Sequence, residues 1–127
     1  MKTILVDAVR AYVIEGEGVY QPLHELLETY PNKKIVLTQA NEEKMREFGL
    51  DTLPYEVFTT SFNPMKTNPE YYKIVFEKYD LKVDDVVYFE HDINAVKSAQ
   101  SLGIPTFFYD EEKKDIDALK TFLDINV

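Results

Sequence analysis

Val86-Val87-Tyr88-Phe89-Glu90-His91-Asp92 is an apolar run that breaks off in three polar residues, and its continuation decides the fold. The stretch from Ala95 to Leu102 has helical spacing and ends at Gly103; the next run, Thr106 to Tyr109, is again short and apolar. Strand, helix and strand in that order make a βαβ unit with parallel strands. The alternation extends upstream. Ile4-Leu5-Val6, Lys34 to Leu37 and Glu56 to Thr59 are further strand candidates. All are apolar on both faces, as a parallel sheet covered by helices on each side requires.

The intervening helices carry end signals. Pro22 opens a stretch that puts Leu23, Leu26, Leu27 and Tyr30 on one face, and Pro31 stops it. Glu42 to Phe48 runs into Gly49, a left-handed C-cap. Asn68-Pro69 reads as N-cap and first helical position ahead of Tyr71, Tyr72, Ile74, Val75 and Phe76. Asp115 to Leu123 is the last helix. Right-handed crossovers then build an α/β fold, a three-layer Rossmann-like sandwich around a parallel sheet of about five strands. One segment breaks the pattern. Tyr12-Val13-Ile14 and Val19-Tyr20 flank Glu15-Gly16-Glu17-Gly18, the makings of a small β-hairpin flap over residues 9–20. It projects from the carboxyl end of the first strand, the edge where open α/β sheets bind ligands.

Composition narrows the function. A chain of 127 residues without repeats or Gly/Ser linkers is expected to form one domain, 1–127. Hydrophobic residues at 45% and aromatics at 13% exclude disordered and fibrous classes. With no cysteine there is no disulfide framework, thiolate zinc site or cysteine nucleophile. Fourteen basic against twenty-three acidic residues give a net charge of −9, a field that repels phosphate backbones and anionic lipid. Neither nucleic acid nor a membrane is therefore expected as partner. No apolar run reaches the roughly 18–20 residues of a membrane span. The opening Met1 to Asp7 is apolar too briefly for a signal peptide, so a cytoplasmic protein is expected.

The chemistry lies at the strand ends. The first strand ends at Asp7, the second at Thr38, the fourth at Glu90-His91-Asp92, and Lys66 follows the third. Parallel strands bring these ends to one edge, so a carboxylate, a hydroxyl, an ammonium and further acids converge there. A carboxylate can attack phosphorus while a hydroxyl and a lysine hold the transferring oxygens. A magnesium ion between carboxylates offsets the repulsion between nucleophile and anionic substrate.

Asp7 after a hydrophobic strand, Leu37-Thr38, and Met65-Lys66-Thr67-Asn68-Pro69-Glu70-Tyr71-Tyr72 together resemble the haloacid dehalogenase superfamily. So does the fourth strand running through Val96-Lys97-Ser98-Ala99-Gln100-Ser101-Leu102 into Gly103-Ile104, and the resemblance spans nearly the whole chain. It implies a core with a flap and no large cap. It also implies Asp7 as nucleophile, Thr38 with Gln39 on the substrate phosphate, and Lys66 steadying nucleophile and phosphate. The implied substrate is a small phosphorylated metabolite or a phosphoprotein, and the implied cofactor is magnesium.

Three positions depart from the family's phosphatases. Their Asp-x-Asp is here Asp7-Ala8-Val9, and valine transfers no proton; losing a general acid costs about 10²–10⁴ in rate. His91 and Ala95 stand where magnesium-binding acids are expected, and imidazole replaces oxygen poorly on a hard ion. Asp7, Glu90 and Asp92 are the oxygens left for a metal. Weak or absent phosphatase activity is the resulting expectation. The dehalogenase branch also lacks the second aspartate, but it expects an acid where Ala95 stands. A non-catalytic anion- or protein-binding module of the same fold is the alternative. A receiver-type signalling domain ranks below both, because it needs an acidic pair after the first strand and an aspartate after the third.

Plainer roles compete at some positions. Asp92 is placed to cap the following helix, and His24 to sit structurally beside Leu23. His91 is open between a site residue, a transition-metal ligand and a satisfied polar group. Tyr71 and Tyr72 read as helix packing, and Glu111-Glu112-Lys113-Lys114 as a solvated loop.

Overall fold

The computed structural model describes residues 1–127. In chain order the elements are β1 (Thr3–Asp7), β2 (Val13–Ile14), β3 (Gly18–Val19), α1 (Gln21–Glu28), β4 (Lys34–Leu37), α2 (Glu42–Glu47) and β5 (Glu56–Phe58). They continue with α3 (Glu70–Tyr79), β6 (Val86–Glu90), α4 (Ile93–Ser101), β7 (Thr106–Phe108) and α5 (Ile116–Asn126). Five strands form one sheet in the order β5-β4-β1-β6-β7, every pairing parallel, and β2 and β3 make a separate antiparallel hairpin.

Side chains of successive strand residues point to opposite faces, so a strand covered on both sides must be apolar throughout. β1 shows this: Ile4 and Val6 enter one core cluster and Leu5 the other. β6 divides likewise, Val87 and Phe89 against Val86 and Tyr88. Leu23, Leu26 and Leu27 of α1 and Leu119 and Leu123 of α5 cover the first face. Tyr71, Tyr72 and Val75 of α3 and Ala99 of α4 cover the second. Each fully buried leucine contributes roughly 1.5–3 kcal/mol relative to exposure. The result is the expected three-layer sandwich. No helix is long and apolar enough to cross a membrane.

The edges differ from expectation. β5 and β7 are not covered on both faces, for Glu56 and Phe108 are exposed. An edge strand has one pairing neighbour, and the helices cover the sheet centre first. α4 begins at Ile93, two residues before the expected Ala95, because the Asp92 carboxylate already accepts the Asn94 N–H at 2.9 Å. Pro69 has helical dihedrals yet stands just outside α3, and the Asn68 side chain caps by accepting the Glu70 N–H at 3.0 Å. Gly49 and Gly103 take φ of 69° and 84° at the helix ends, as their places after α2 and α4 predicted. The hairpin is shorter than expected, and its root is not free. Ala8, Ala11, Tyr12 and Val13 are buried in the core, and Tyr20 serves as N-cap of α1. The Tyr12 hydroxyl meets His24 Nδ1 at 2.7 Å, which gives that histidine the structural place expected of it.

Candidate functional site

With β4 on one side of β1 and β6 on the other, the strand order reverses at β1, and a crevice opens beyond the carboxyl ends there. Asp7 is the last residue of β1, Thr38 follows β4, and Glu90 ends β6. Lys66 arrives from a turn closed by the Asn68 N–H on the Met65 carbonyl, just ahead of α3. Asp7, Glu90, Thr38 and Lys66 are all buried.

The Lys66 ammonium lies between the two acids, its Nζ 2.8 Å from Asp7 Oδ1 and 2.8 Å from Glu90 Oε1. The other oxygen of Asp7, Oδ2, accepts the His91 backbone N–H at 2.9 Å and faces His91 Nδ1 at 2.5 Å. Glu90 also accepts the buried Tyr88 hydroxyl on Oε1 and the Asp92 N–H on Oε2 at 3.0 Å. His91 Nδ1 is 3.2 Å from Glu90 Oε2, and its Nε2 is 3.7 Å from Glu111 Oε2. Glu111 in turn pairs with Arg10 of the flap at 3.8 Å.

Ionisation follows from this packing. Burial and the neighbouring Glu90 charge push the Asp7 carboxyl above its usual range, with Lys66 and His91 pulling the other way. Burial acts the same way on Glu90. There the Lys66 charge and the hydrogen bonds from His91, Lys66 and Tyr88 outweigh it and hold the group well below ordinary carboxylates. Burial disfavours the Lys66 charge, but Asp7 and Glu90 more than offset it and raise the ammonium well above its usual value. The His91 ring, likewise opposed by burial, is raised to about 10 by Asp7 and Glu90.

The other expected residues sit close by. Thr38 Oγ1 accepts the Ala40 N–H at 3.2 Å, and its own proton meets no protein acceptor. The Thr38 carbonyl accepts the buried Tyr71 hydroxyl at 2.6 Å, so Tyr71 packs and braces the β4 end. Gln39 Oε1 accepts the Lys66 backbone N–H at 2.8 Å, which ties the lysine turn to β4. Asp7, Glu90 and His91 each offer a ligand atom within 4.8 Å of the others. Asp92 stands apart from that group and caps α4.

These groups form the floor of a cleft of about 310 Å³. Val9, Lys44, Phe48, Phe62 and Asp92 complete its wall. Lys44, Phe48 and Phe62 were not singled out as site residues from sequence, and Glu111 reads there as part of a solvated loop. Phe62 stands 42% exposed at the rim, and it and Ser61 take φ of 70° and 53°. That conformation costs a phenylalanine energy and is held by its N–H on the Gln39 carbonyl at 2.7 Å. An aromatic residue in an Asn-Pro loop just before Lys66 was the available signal.

A parallel α/β sandwich with an acid–ammonium–acid trio at its switch point is the class of protein so defined. No family model matches the sequence, and no curated protein matches it. Solved structures do share the fold. An uncharacterized protein from Corynebacterium glutamicum matches with a TM-score of 0.67 at 15% identity, over 98% of this chain and 96% of its own. D,D-heptose 1,7-bisphosphate phosphatase from Burkholderia thailandensis matches at 0.62 and 12% identity, over 98% of each chain. The core domain of a candidate phosphoglycolate phosphatase from Streptococcus pneumoniae matches at 0.55 and 18% identity, over 85% of this chain and 79% of its own. The chain thus has a fold that two phosphatase structures also have.

Proposed function

We propose that the chain is one haloacid-dehalogenase-like domain of phosphoester-hydrolase type, a core with a flap over residues 9–20, which holds a phosphoryl group against Asp7. The observation that carries this reading is the Lys66 ammonium, buried and 2.8 Å from Asp7 Oδ1 on the floor of the cleft. Its ligand is the phosphoryl end of a small metabolite or of a phosphoprotein.

The chemistry is in-line transfer. Asp7 Oδ1 attacks phosphorus, the ester oxygen leaves with its electron pair, and water then cleaves the aspartyl phosphate to regenerate the carboxylate. Lys66 offsets the charge on nucleophile and phosphoryl oxygens, and the free Thr38 proton is available to one of those oxygens. Val9 lines the cleft where a proton donor is expected, so the leaving oxygen must take its proton from water. That lowers turnover by about 10²–10⁴ relative to a site with a general acid.

Magnesium is the cofactor the family resemblance implies, and the donors do not fit it. The ion wants near-octahedral oxygen. The grouped donors are two carboxylates and a ring nitrogen. Asp92 spends Oδ1 on its helix, and Ala95 brings no oxygen from its side chain. The transfer is therefore assigned to the chain's own residues.

The test is hydrolysis of p-nitrophenyl phosphate, with slow turnover expected and its loss in Asp7→Asn. Turnover indifferent to that change refutes the mechanism. Val9 and Ala95 also favour a second reading, an anion-binding module without turnover. In that case vanadate binds and Asp7→Asn weakens it, while no hydrolysis is seen.

A further inference from the structure

The two acids at the switch point are largely occupied by protein donors. A carboxylate pair offers roughly eight lone-pair positions. Six hydrogen bonds reach them: Lys66 Nζ on both acids, the His91 N–H and ring Nδ1 on Asp7, and the Tyr88 hydroxyl and Asp92 N–H on Glu90. His91 Nδ1 adds a contact to Glu90 Oε2 at 3.2 Å. With Asp7 ionised, the ring nitrogen 2.5 Å from its oxygen donates a proton to it, and that nitrogen then has no lone pair for a metal. Asp7 Oδ1 has Lys66 as its only donor, so a lone pair remains there for attack on a ligand. Nitrogen donors thus reach both oxygens of each acid.

We infer that the His91 ring, beside Lys66, takes the place of a divalent cation, so that the cleft binds a phosphate-class oxyanion without any metal. The inference rests on the anion-binding reading above and goes beyond it in assigning His91 as the residue that excludes the ion. Two features support it. The Nε2 side of the ring faces a third carboxylate, Glu111, at 3.7 Å, so the ring lies between acids on both sides. Asp7 and Glu90 are also both within hydrogen-bonding reach of one buried ammonium, which already brings positive charge to Asp7 Oδ1 and Glu90 Oε1.

The experiment has two arms on the full-length chain. In the first, magnesium, manganese and zinc are titrated separately into the metal-stripped protein without any anion, by calorimetry and thermal melting. No saturable heat and no rise in melting temperature are expected. Binding of any of the three that is lost in His91→Asn overturns the inference and makes Asp7, Glu90 and His91 a metal site. In the second, orthovanadate affinity is measured with chelator and with excess magnesium. The expected ratio is one. A tenfold or greater gain with magnesium overturns the inference. In His91→Asp, which supplies an oxygen, vanadate affinity should become magnesium-dependent by tenfold or more. Should that variant not fold, the metal titration of the unaltered chain still decides. Vanadate failing to bind under either condition removes the anion-pocket reading, while the first arm continues to report on the metal alone.

Discussion

Replacing Lys66 by methionine removes the one cation that Asp7 and Glu90 share and leaves two carboxylates facing each other in the interior. Methionine nearly matches the stem in volume, so the change reports on charge rather than packing. Both Lys66–acid contacts are 2.8 Å, and the Asp7 and Glu90 side chains are each 1% exposed, so water cannot take over the role of the ammonium without rearrangement. Breaking a buried pair of this kind costs about 3–5 kcal/mol. For 127 residues the melting entropy converts each kcal/mol into about 4 °C, so the melting temperature should fall by roughly 10–20 °C at mildly alkaline pH. The deficit should shrink in mild acid. Without the ammonium both carboxyls titrate higher than in the parent chain, so the folded variant takes up protons at higher pH than the parent and its deficit narrows as pH falls. Adding Glu90→Gln to Lys66→Met should recover part of the loss at alkaline pH by removing one of the opposed charges. Calorimetric melting at two pH values measures all of this. A loss below about 1 kcal/mol, the range of exposed ion pairs, or one that does not change with pH, refutes the buried-trio account.

Asp92→Ala should cost about 1 kcal/mol of stability through the lost cap on α4, while metal titration stays as silent as in the parent chain; chemical denaturation checks the first part. The His91 ring is raised from 6.5 to about 10 in the folded state, so its contribution is complete below the lower value and is lost as pH climbs through the upper one. The stability difference between the parent and His91→Asn should therefore be largest near neutral and acid pH and fade toward pH 10, and a difference that grows with pH contradicts the assignment. Val9→Asp should raise p-nitrophenyl phosphate turnover by about 10²–10⁴ if the missing proton donor is the main defect, and an unchanged rate in a well-folded variant points to the module without turnover.

The central strands were legible because burial on both faces leaves no freedom in composition: Ile4-Leu5-Val6 and Val86 to Phe89 can be little else. The meeting of Asp7, Lys66 and Glu90 also followed, since parallel strands align their ends at one edge. What sequence hid depends on contacts between distant segments. Nothing local says that Phe108 and Glu56 lie on exposed edges, or that the flap root is buried around Tyr12. Glu111 read as part of a solvated loop, yet the turn after β7 carries it to the far side of the His91 ring. The place of His91 itself stayed open because its partner is the carboxylate of Asp7, at the far end of the chain. Gln39 lines the cleft, and the bond from the Lys66 backbone to its side-chain oxygen runs through a loop whose path no spacing encodes.

Crystals soaked with orthovanadate in the presence of chelator give the most direct view of the cleft. The account predicts vanadium bonded to Asp7 Oδ1, with the Lys66 ammonium and the Thr38 hydroxyl against its oxygens and His91 still on Asp7 Oδ2. Vanadate seated elsewhere, or a cleft left empty at saturating vanadate, contradicts it.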